Sequence, residues 1–516
     1  MKKLILIIVF ILLPSLCFSQ NYYVKNGGND SLAGTSDATA WETIDKVNNT
    51  SMVTGDDVFF KCGDEWSLTA NINRIYMDWE GTAVNRVIIG AYYMDGDTEV
   101  IGVSGNKPIF NANKVYPLGD WDESRNGDAF RCWYMSYITI QDLRIINSKG
   151  RGINVAWGTS MEALRVETDS TTASGIQFYD IEDGLIEDCD VREHGQIFNE
   201  YPGHNWPAGI AVVQNGHNVT VRHCKIHEGY GEGIGNYFYS DNTIIEDNIL
   251  YDNRCHQIYI SAAQYATIRR NVIYHTTNQT YWRDHTDGVR SPSYGIAVGD
   301  EPYYAPYISY VDIYDNFISG ERIGISLFTD SNDHPNDLLK DVNVYNNSII
   351  DCKWGFYIPI GPFQNCNIKN NIIWSITSTS DWPAGSYYGL ASTPGITWSN
   401  NNWTTTAAYP YSGTGDVIGT ANLLKTSGWR SIVNWDDLDY DDFSVTATSP
   451  GIETGVNLGS AWKDLLEAEN INWSNDYFPT KDQNNYGTGW EMGADIYDTG
   501  GSPSTETEKV YKGIFF

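Results

Sequence analysis

The stretches IEDNIL at 245–250 and IRRNVI at 268–273 are copies of one phrase, I-x-x-N-x-I, and this phrase decides the fold. Further copies read IYDNFI, VYNNSI and IKNNII, and earlier copies carry Leu or Cys in place of Asn, as in IQDLRI, MEALRV, IEDCDV and VRHCKI. The Asn-type positions are 143, 164, 189, 224, 248, 271, 316, 347 and 371, about 21 to 25 residues apart where nothing is inserted.

A second phrase, usually Gly-Ile followed by alternating residues, comes after each copy of the first. It reads GINVA, GIQFY, GIAVV, GIGNY, GIAVG, GISLF and GFYIP, and in QIYIS at 257–261 the glycine is missing. Short alternating strands at a fixed period, with no helical pattern between them, predict an all-β solenoid of stacked parallel strands. An inward Asn repeated on successive coils can hydrogen-bond its neighbours along the stack.

The repeat resembles that of right-handed parallel β-helix proteins of the pectate-lyase-like group. The start, NYYVKNGGNDSLAGTSDATAWETI at 21–44, resembles the N-terminal segment of secreted bacterial members. The segments FSVTATSPGIETG at 443–455 and EMGADIYD at 491–498 are similar to their closing segment. The resemblance implies a single-stranded right-handed parallel β-helix with an irregular C-terminal β region, and it carries over no catalytic residue.

The chain divides into four predicted segments. In residues 1–19, two lysines precede an apolar run and a small-x-small site, which is typical of a cleaved secretory signal peptide. The β-helix with its N-terminal cap is predicted for 20–380, C-terminal coils and a capping region for 381–498, and a flexible tail for 499–516. We expect a secreted monomer, periplasmic or extracellular, with no membrane insertion.

A short helix is predicted to close the N-terminal end of the solenoid. In TAWETIDKVN at 39–48, Thr39 and Glu42 have the spacing of a capping box, and Trp41, Ile44 and Val47 can share one face. Beyond about Ser380 the Asn phrase is not recognised.

The charge of the chain limits its partners. With 65 acidic against 33 basic residues, the formal net charge is -32, which repels nucleic acid and anionic membranes at long range. The seven cysteines after Cys17 are scattered and odd in number, so they predict no disulfide framework, and no Cys/His spacing indicates zinc.

Two long loops interrupt the repeat at the same turn. The distance from an Asn-type position to the next Gly-Ile strand is usually about 10 residues, but it is 21 after Cys189 and 25 after Asn271. The insertions are HGQIFNEYPGHNWPA at 194–208 (loop 1) and HTTNQTYWRDHTDGVRSPSY at 275–294 (loop 2). Because they are three coils apart, we expect two walls about 15 Å apart beside the coils between them.

The coils between the loops place ionisable residues in one outward column. Glu232, His256 and Tyr294 are predicted to be stacked neighbours, and Gly235 beside Tyr259 is predicted to leave space for a ligand. All nine histidines lie between positions 194 and 334, and histidine serves as acid, base or metal ligand near neutral pH. The candidate catalytic residues are Glu232, His256, Tyr259, His285 and Asp287. The candidate substrate-binding residues are Arg283, Arg290, Trp282, Tyr281, Tyr294, His204 and Trp206.

The first functional hypothesis is a polysaccharide lyase that cleaves a uronate-containing extracellular polysaccharide by β-elimination. Arg283 and Arg290, or a bound cation, would neutralise the carboxylate, and the aromatic residues of the loops would stack on sugar rings. His256 or His285 would be the base and Tyr259 or Tyr294 the acid, with Asp287 orienting the imidazole of His285.

Two alternatives use the same scaffold. A glycoside hydrolase would need a carboxylate pair, for which Glu232 and Asp287 are the best candidates. A non-catalytic carbohydrate-binding β-helix would need only the surface. No cofactor is required by the sequence, although Asp300, Glu301 and Asp330 are oxygen ligands on neighbouring coils that suit Ca²⁺ without matching a calcium-loop motif.

Overall fold

The computed structural model describes residues 19–497 except for several internal segments. These segments are 69–73, 114–126, 198–206, 301–307, 330–337, 375–384, 390–391, 404–412, 430, 434–439, 467–479 and 487. The predicted signal peptide and the predicted tail therefore lie outside the described residues, except for Ser19. No helix in the described part of the chain has the length and apolarity that a membrane crossing requires.

Parallel strands stack into three faces around one core, as the repeat predicts for a right-handed β-helix. The Gly-Ile phrases form the first face, which we call the Gly-Ile face. Its strands are Ile75–Met77, Phe130–Trp133, the first parts of Ile153–Leu164 and Ile176–Glu187, Ala208–Val213, Glu232–Tyr237, His256–Ser261, Tyr294–Asp300, Ile323–Thr329, Trp354–Ile358 and Gly385–Gly389.

The other two faces flank the Asn turn. The face before it contains Asn21–Val24, Asp57–Lys61, Val87–Asp95, Ile138–Gln141, the second parts of Ile153–Leu164 and Ile176–Glu187, His217–Arg222, Ile244–Glu246, Thr267–Arg269, Ser309–Tyr314, Leu339–Tyr345, Phe363–Gln364, Cys366–Lys369 and Ile396–Ser399. The face after it, called the third face, contains Glu65–Ser67, Ile109–Asn111, Arg144–Ile146, Glu167–Asp169, Asp190–Arg192, Lys225–His227, Ile249–Tyr251, Val272–Tyr274, Phe317–Ser319, Ser348–Ile350, Ile372–Trp374, Asn402–Trp403 and Val417–Ile418.

A few elements lie outside the coils. The strand Thr98–Ile101 pairs antiparallel with Val87–Asp95, and the hairpins Arg283–Asp284/Arg290–Ser291 and Asp464–Leu466/Thr480–Asp482 are also antiparallel. The α-helix is Ile44–Asn48, and the short 3₁₀ helices are Asp37–Thr39, Gln279–Tyr281, Tyr440–Phe443, Ser460–Trp462 and Gln483–Asn485.

The N-terminal helix forms where it was predicted, but its cap differs. Trp41, Ile44 and Val47 are buried in the core, as expected. The N-cap is Thr43, whose hydroxyl accepts a hydrogen bond from the Lys46 amide at 3.1 Å. The capping box at Thr39 and Glu42 is therefore wrong, because Thr39 ends the preceding 3₁₀ turn.

The repeated Asn residues form a continuous buried ladder. Asn248, Asn271, Asn316, Asn347 and Asn371 each donate from Nδ2 to the Oδ1 of the next rung's Asn, at 2.9–3.0 Å. Each Oδ1 also accepts the backbone N–H of the rung before it, at 2.9–3.1 Å. Every amide group of the ladder is thus used, in a core where an unpaired polar group would be costly.

The ladder extends further than the sequence suggested. It continues past residue 380 to Asn401, which accepts from Asn371 at 3.0 Å, and it ends where Asp416 Oδ1 accepts the Asn401 N–H at 2.9 Å. The phrase had gone unrecognised there because Trp398 replaces its first Ile.

One upstream repeat position was wrong. Leu164 pairs with Gln141 and Glu187, on the face before the turn, and the ladder position of that coil is the fully buried Val166. Strand side chains alternate with a period of two, so a slip of two residues keeps the same apolar pattern. Cys189 and Cys224 occupy the next two rungs in the core, and all seven cysteines after Cys17 are free thiols.

The C-terminal region covers part of the third face. The first residue of each strand in this face is charged in Arg144, Glu167, Asp190 and Lys225, whereas it is apolar in Ile249, Val272, Phe317 and Ile372. Onto this apolar surface pack Leu423, Trp429, Phe443, Val445 and Met492. The ring centroids of Phe317 and Phe443 are 4.4 Å apart, so these described residues of the C-terminal region are held by core-like packing.

A polar network lies in the interior under the turn from which the two long loops leave. Gln257, which replaces the glycine of its phrase, accepts from Asn253 at 2.6 Å and donates to Glu321 at 3.0 Å. His275 Nδ1 lies 2.7 Å from Glu321 Oε1, and both side chains are fully buried. Burial disfavours the imidazolium, but Glu321 outweighs burial and raises the pKa of His275. The network fixes the start of loop 2 and the residue after His256.

Removing one rung of the ladder should destabilise the solenoid. We expect Asn316→Ala to lower the free energy of unfolding by about 2–4 kcal/mol, because the N–H and Nδ2 of Asn271 lose their acceptor in the core. Urea denaturation measures this loss. The control is Asn367→Ala, in which a half-buried outward Asn is removed at a cost below about 1 kcal/mol; equal losses would contradict the ladder's role.

Breaking the buried pair beneath the loops should also be costly. Glu321→Gln leaves His275 without its counter-charge, and we expect the free energy of unfolding to fall by about 3–5 kcal/mol. The exposed Glu182→Gln is the matched control and should change stability by less than about 0.5 kcal/mol. A Glu321→Gln protein as stable as the control would show that the pair does not hold this region.

Candidate functional site

The predicted outward column forms on the Gly-Ile face in the expected register. Ala208 pairs with Glu232, His256 pairs with Tyr294, and Ile323 follows on the next rung. Glu232, His256 and Tyr294 each begin a strand, so they lie directly beneath the turn from which the long loops leave.

These side chains point outward although they are largely covered. Ile258 and Ile260 are fully buried in the core, so Tyr259 between them faces out, and the His256 ring stacks on Tyr259 with centroids 4.5 Å apart. The Glu232 side chain is 5% exposed and that of His256 is 13% exposed. The site is therefore on the outward side of the face but largely shielded from solvent.

The space predicted beside Gly235 is not open. A Cβ at Gly235 would lie about 2 Å from the Tyr237 hydroxyl, because the Tyr237 ring lies across this glycine. The hydroxyl donates a hydrogen bond to Glu232 Oε2. The space left by Gly235 is thus filled by Tyr237 of the same strand, and the Tyr237 hydroxyl holds Glu232 in place.

His256 contacts two acidic groups through one nitrogen. His256 Nδ1 lies 3.3 Å from Glu232 Oε1 and 3.4 Å from Cys255 Sγ. Burial lowers the pKa of His256, but Cys255 and Glu232 outweigh burial and raise it to about 10. Among the described residues, Glu232, Cys255 and His256 are the group of three whose ligand atoms lie close enough to hold a metal ion, all within 4.8 Å of one another. Sequence reasoning missed Cys255.

Tyrosine rings enclose the imidazole. Tyr294 lies 4.9 Å from the His256 ring, in addition to Tyr259, and Tyr357 packs edge-on against Tyr294 at 6.4 Å. Burial, and then Tyr357, raise the pKa of Tyr294, so its phenol stays protonated well above neutral pH.

Both long loops leave the turn between the third face and the Gly-Ile face, as predicted. Residues 198–206, with His204 and Trp206, lie outside the described part. Loop 2 folds back as the hairpin Arg283–Asp284/Arg290–Ser291, and Arg283 Nη1 reaches Cys255 Sγ at 3.3 Å. Loop 2 therefore covers the outward column.

Two aromatic residues of loop 2 have different surroundings. Tyr281 is 4% exposed and packs against Tyr230 at 5.4 Å, so the prediction that it stacks on a sugar is wrong. Trp282 is half-buried and donates to the Thr276 carbonyl at 3.4 Å.

His285 and Asp287 do not form the predicted oriented pair. His285 Nε2 lies 3.0 Å from the Pro292 carbonyl, whereas Asp287 accepts a hydrogen bond from Arg322. Burial, then Arg322 and later Arg283, lower the pKa of His285 to about 4. At neutral pH the imidazole is uncharged; its Nε2–H is used by the carbonyl, which leaves the lone pair on Nδ1.

Glu232 and Asp287, the carboxylate pair that a glycosidase would need, have different partners. Asp287 Oδ2 bonds Arg322 and lies 4.0 Å from Lys353 Nζ, and these two basic residues precede the column positions Ile323 and Trp354. Glu232 is contacted by Tyr237 and His256 instead.

Basic residues from several rungs converge under the loop 2 hairpin. Arg322 and Lys353, which sequence reasoning missed, are buried beside Trp354, with the cations 5.4 and 4.7 Å from its ring. We call the following set the basic cluster: Arg254, Arg283, Arg290, Arg322 and Lys353. Burial and then Arg322 lower the pKa of Lys353, and burial and then Arg290 lower that of Arg254. The cations of the cluster thus repel one another.

Among the described residues, the acids that form ion pairs with the cluster are exposed. Asp284 lies 3.9 Å from Arg254 with its side chain 71% exposed, and Asp287, which pairs with Arg322, is 43% exposed. Arg290 is exposed and donates to the Gln279 carbonyl at 2.9 Å. Arg322 therefore already holds a carboxylate of loop 2.

The predicted calcium ligands are only partly described. Asp300 is buried, and its Oδ2 accepts the Leu338 N–H at 3.0 Å, which is a loop-capping role. Glu301 and Asp330 lie outside the described residues.

Several solved structures are similar to this chain at low sequence identity. A pectate lyase is 12% identical, with a TM-score of 0.49, covering 93% of this chain and 97% of that one. A rhamnogalacturonan lyase is 13% identical, with a TM-score of 0.44 and coverages of 74% and 87%. A lacto-N-biosidase from Eubacterium ramulus is 14% identical, with a TM-score of 0.37 and coverages of 78% and 68%.

The sequence itself matches one family model. Residues 92–243 and 208–403 match the right handed beta helix region, and together they span more than half of the 516 residues. No curated protein matches the chain. With its stacked coils and its buried Asn ladder, the chain belongs to the right-handed β-helix family.

Proposed function

We propose that the protein is a polysaccharide lyase that cleaves a uronate-containing polysaccharide by β-elimination. The observation that carries the proposal is the basic cluster beside two imidazoles and a phenol. In a chain of net charge -32, five cations gather around the loop 2 hairpin, and the carboxylates that pair with them among the described residues, Asp284 and Asp287, are exposed. Their mutual repulsion is relieved by an anionic ligand, and a uronate carboxylate is such a ligand.

The residues can be given roles in the elimination. Arg283 and Arg322 bind the uronate carboxylate, with Arg290 at the rim, and this charge neutralisation makes the C5 proton more acidic. His285 Nδ1 takes that proton; the electron pair forms the C4=C5 double bond, and the C4–O bond breaks. Tyr294 gives its proton to the leaving oxygen, which suits a phenol whose pKa is raised by burial.

The pKa values of the two imidazoles are shifted in opposite directions by their surroundings. His285 is neutral because burial and its cationic neighbours oppose a further charge, whereas Glu232 and Cys255 favour a charged His256. When a substrate carboxylate neutralises Arg283 and Arg322, the pKa of His285 rises toward the working pH and the base becomes stronger.

A polymer substrate places the reaction outside the cell. Polysaccharides do not cross a bilayer, so the proposed activity agrees with a signal peptide at 1–19 and a secreted protein. A monomer suffices, because the roles above are filled from one chain.

Activity is tested on alginate, pectate, glycosaminoglycans and ulvan. A lyase releases an unsaturated uronate that absorbs in the ultraviolet. We expect His285→Gln to lower kcat by about 10² to 10⁴, because a general base is lost. The control His217→Gln changes a half-exposed histidine on the neighbouring face, bonded to Asp241, and should retain full activity.

Two outcomes would contradict the proposal. Reducing ends released without ultraviolet absorbance would identify a hydrolase. Binding to a glycan without any product would identify a carbohydrate-binding β-helix.

The pH profile tests the base directly. Because the pKa of His285 is lowered to about 4, kcat/KM should fall on the acid side only as the pH drops through about 4. Removing a positive neighbour favours the imidazolium, so Arg322→Met should move this limb to higher pH, toward the ordinary histidine value of about 6.5. The control Lys46→Met, on the N-terminal helix, should leave the limb in place; an unmoved limb in Arg322→Met would exclude His285 as the base.

A further inference from the structure

We infer that Glu232, Cys255 and His256 bind a zinc ion on the Gly-Ile face. The three residues offer a carboxylate oxygen, a thiolate sulfur and an imidazole nitrogen from two adjacent rungs. Nitrogen and sulfur ligands select zinc over calcium or magnesium, which prefer oxygen alone. The site stands on its own geometry; only the role given to the metal below rests on the proposed function.

The two ligand separations from His256 Nδ1 match those around a tetrahedral metal, and the third, between the carboxylate and the sulfur, is at most 4.8 Å. With zinc–ligand bonds of about 2.0–2.3 Å, a nitrogen and an oxygen ligand lie about 3.3 Å apart and a nitrogen and a sulfur ligand about 3.5 Å apart. The observed distances from His256 Nδ1 are 3.3 Å to Glu232 Oε1 and 3.4 Å to Cys255 Sγ. A charge-assisted hydrogen bond to a carboxylate would be shorter, about 2.7–2.9 Å.

One nitrogen cannot serve both contacts well by hydrogen bonding. An imidazole nitrogen carries one proton or one lone pair, directed along a single line in the ring plane. A carboxylate and a thiol that both approach Nδ1 cannot both bond well to its one proton. A metal ion bound to the Nδ1 lone pair can contact the imidazole, the carboxylate and the thiolate together.

The neighbouring residues hold each ligand in place. Tyr237 donates to Glu232 Oε2, which leaves Oε1 free to bind a metal. Arg283 Nη1, 3.3 Å from Cys255 Sγ, stabilises a thiolate. Tyr259 and Tyr294 fix the imidazole plane through ring contacts at 4.5 and 4.9 Å. Such outer partners are characteristic of metal sites, where they orient the ligands and tune their basicity.

Three protein ligands leave a fourth position for an exchangeable group. Zinc sites of this kind are catalytic rather than structural, since structural sites use four protein ligands. If the proposed function is correct, the fourth ligand is an oxygen of the bound polysaccharide. His256 is then a ligand, and the proton transfers remain with His285 and Tyr294.

Metal content tests the inference without any assay of activity. The purified full chain is dialysed against zinc, freed of unbound metal and analysed by mass spectrometry; we expect about one zinc per chain. Cys255→Ser and His256→Asn should retain less than a tenth of this zinc. Cys62→Ser and His217→Asn, a half-buried cysteine and a half-exposed histidine outside the site, are the matched controls and should retain it all.

Cobalt substitution adds a spectroscopic signature. Co²⁺ in the full chain should show a near-ultraviolet thiolate-to-cobalt charge-transfer band that Cys255→Ser abolishes. Glu232→Gln keeps the shape of the site and should weaken zinc binding at least tenfold while circular dichroism stays unchanged. Equal zinc binding by the unsubstituted protein and the Cys255→Ser variant would overturn the inference. The absence of the charge-transfer band from the unsubstituted protein would also overturn it.

The metal site and the proposed function can each be contradicted without the other. Uronate cleavage by a chain that binds no zinc would overturn the metal site and leave the lyase. Stoichiometric zinc with no unsaturated product from any uronate would confirm the metal site and overturn the lyase.

Discussion

The buried Asn ladder is the constraint on which the rest of the structure depends. From Asn248 to Asn401 each side-chain amide joins three successive levels of the stack, and any shift in register would leave several polar groups unpaired in the core. Register in turn decides which residues meet on the outer surface. Glu232 and His256 are 24 positions apart in sequence, yet they are neighbours because the ladder holds their coils one strand spacing apart.

On this fixed scaffold, the candidate functional groups are concentrated at one turn. The glycine column of the Gly-Ile face is interrupted there by Gln257, whose side chain joins the His275–Glu321 pair inside the solenoid. The same turn releases loop 2, which returns across the column and brings Arg283 to Cys255. Interior polar groups therefore support the exterior site. The chain is acidic overall, so the cationic patch under the hairpin is a local reversal of charge that favours a carboxylate ligand.

The sequence predicted the features that depend on period and composition. The repeat predicted parallel coils, the counting of residues located both long loops, and the column Glu232, His256, Tyr294 followed from alignment of the Gly-Ile phrases. The error at Leu164 shows the limit of this method, because period-two alternation does not distinguish registers that differ by two residues.

The remainder of the site depends on contacts between coils that no local pattern reveals. Arg322 and Lys353 precede different strands, 31 residues apart, and meet only because those strands stack. No spacing within one segment identified Cys255 as a possible metal ligand, because Glu232 belongs to the preceding coil. Tyr237 fills the gap at Gly235 from two positions along the same strand, which is a matter of side-chain rotation.

The most direct test of the central claim is a crystal structure of the protein bound to an oligouronate that β-elimination cannot cleave. The account predicts a sugar carboxylate between Arg283 and Arg322, with C5 of that residue facing His285 Nδ1 and the bridging oxygen facing Tyr294. An oligosaccharide bound on another face, or one bound here with its carboxylates directed away from the basic cluster, would contradict the account.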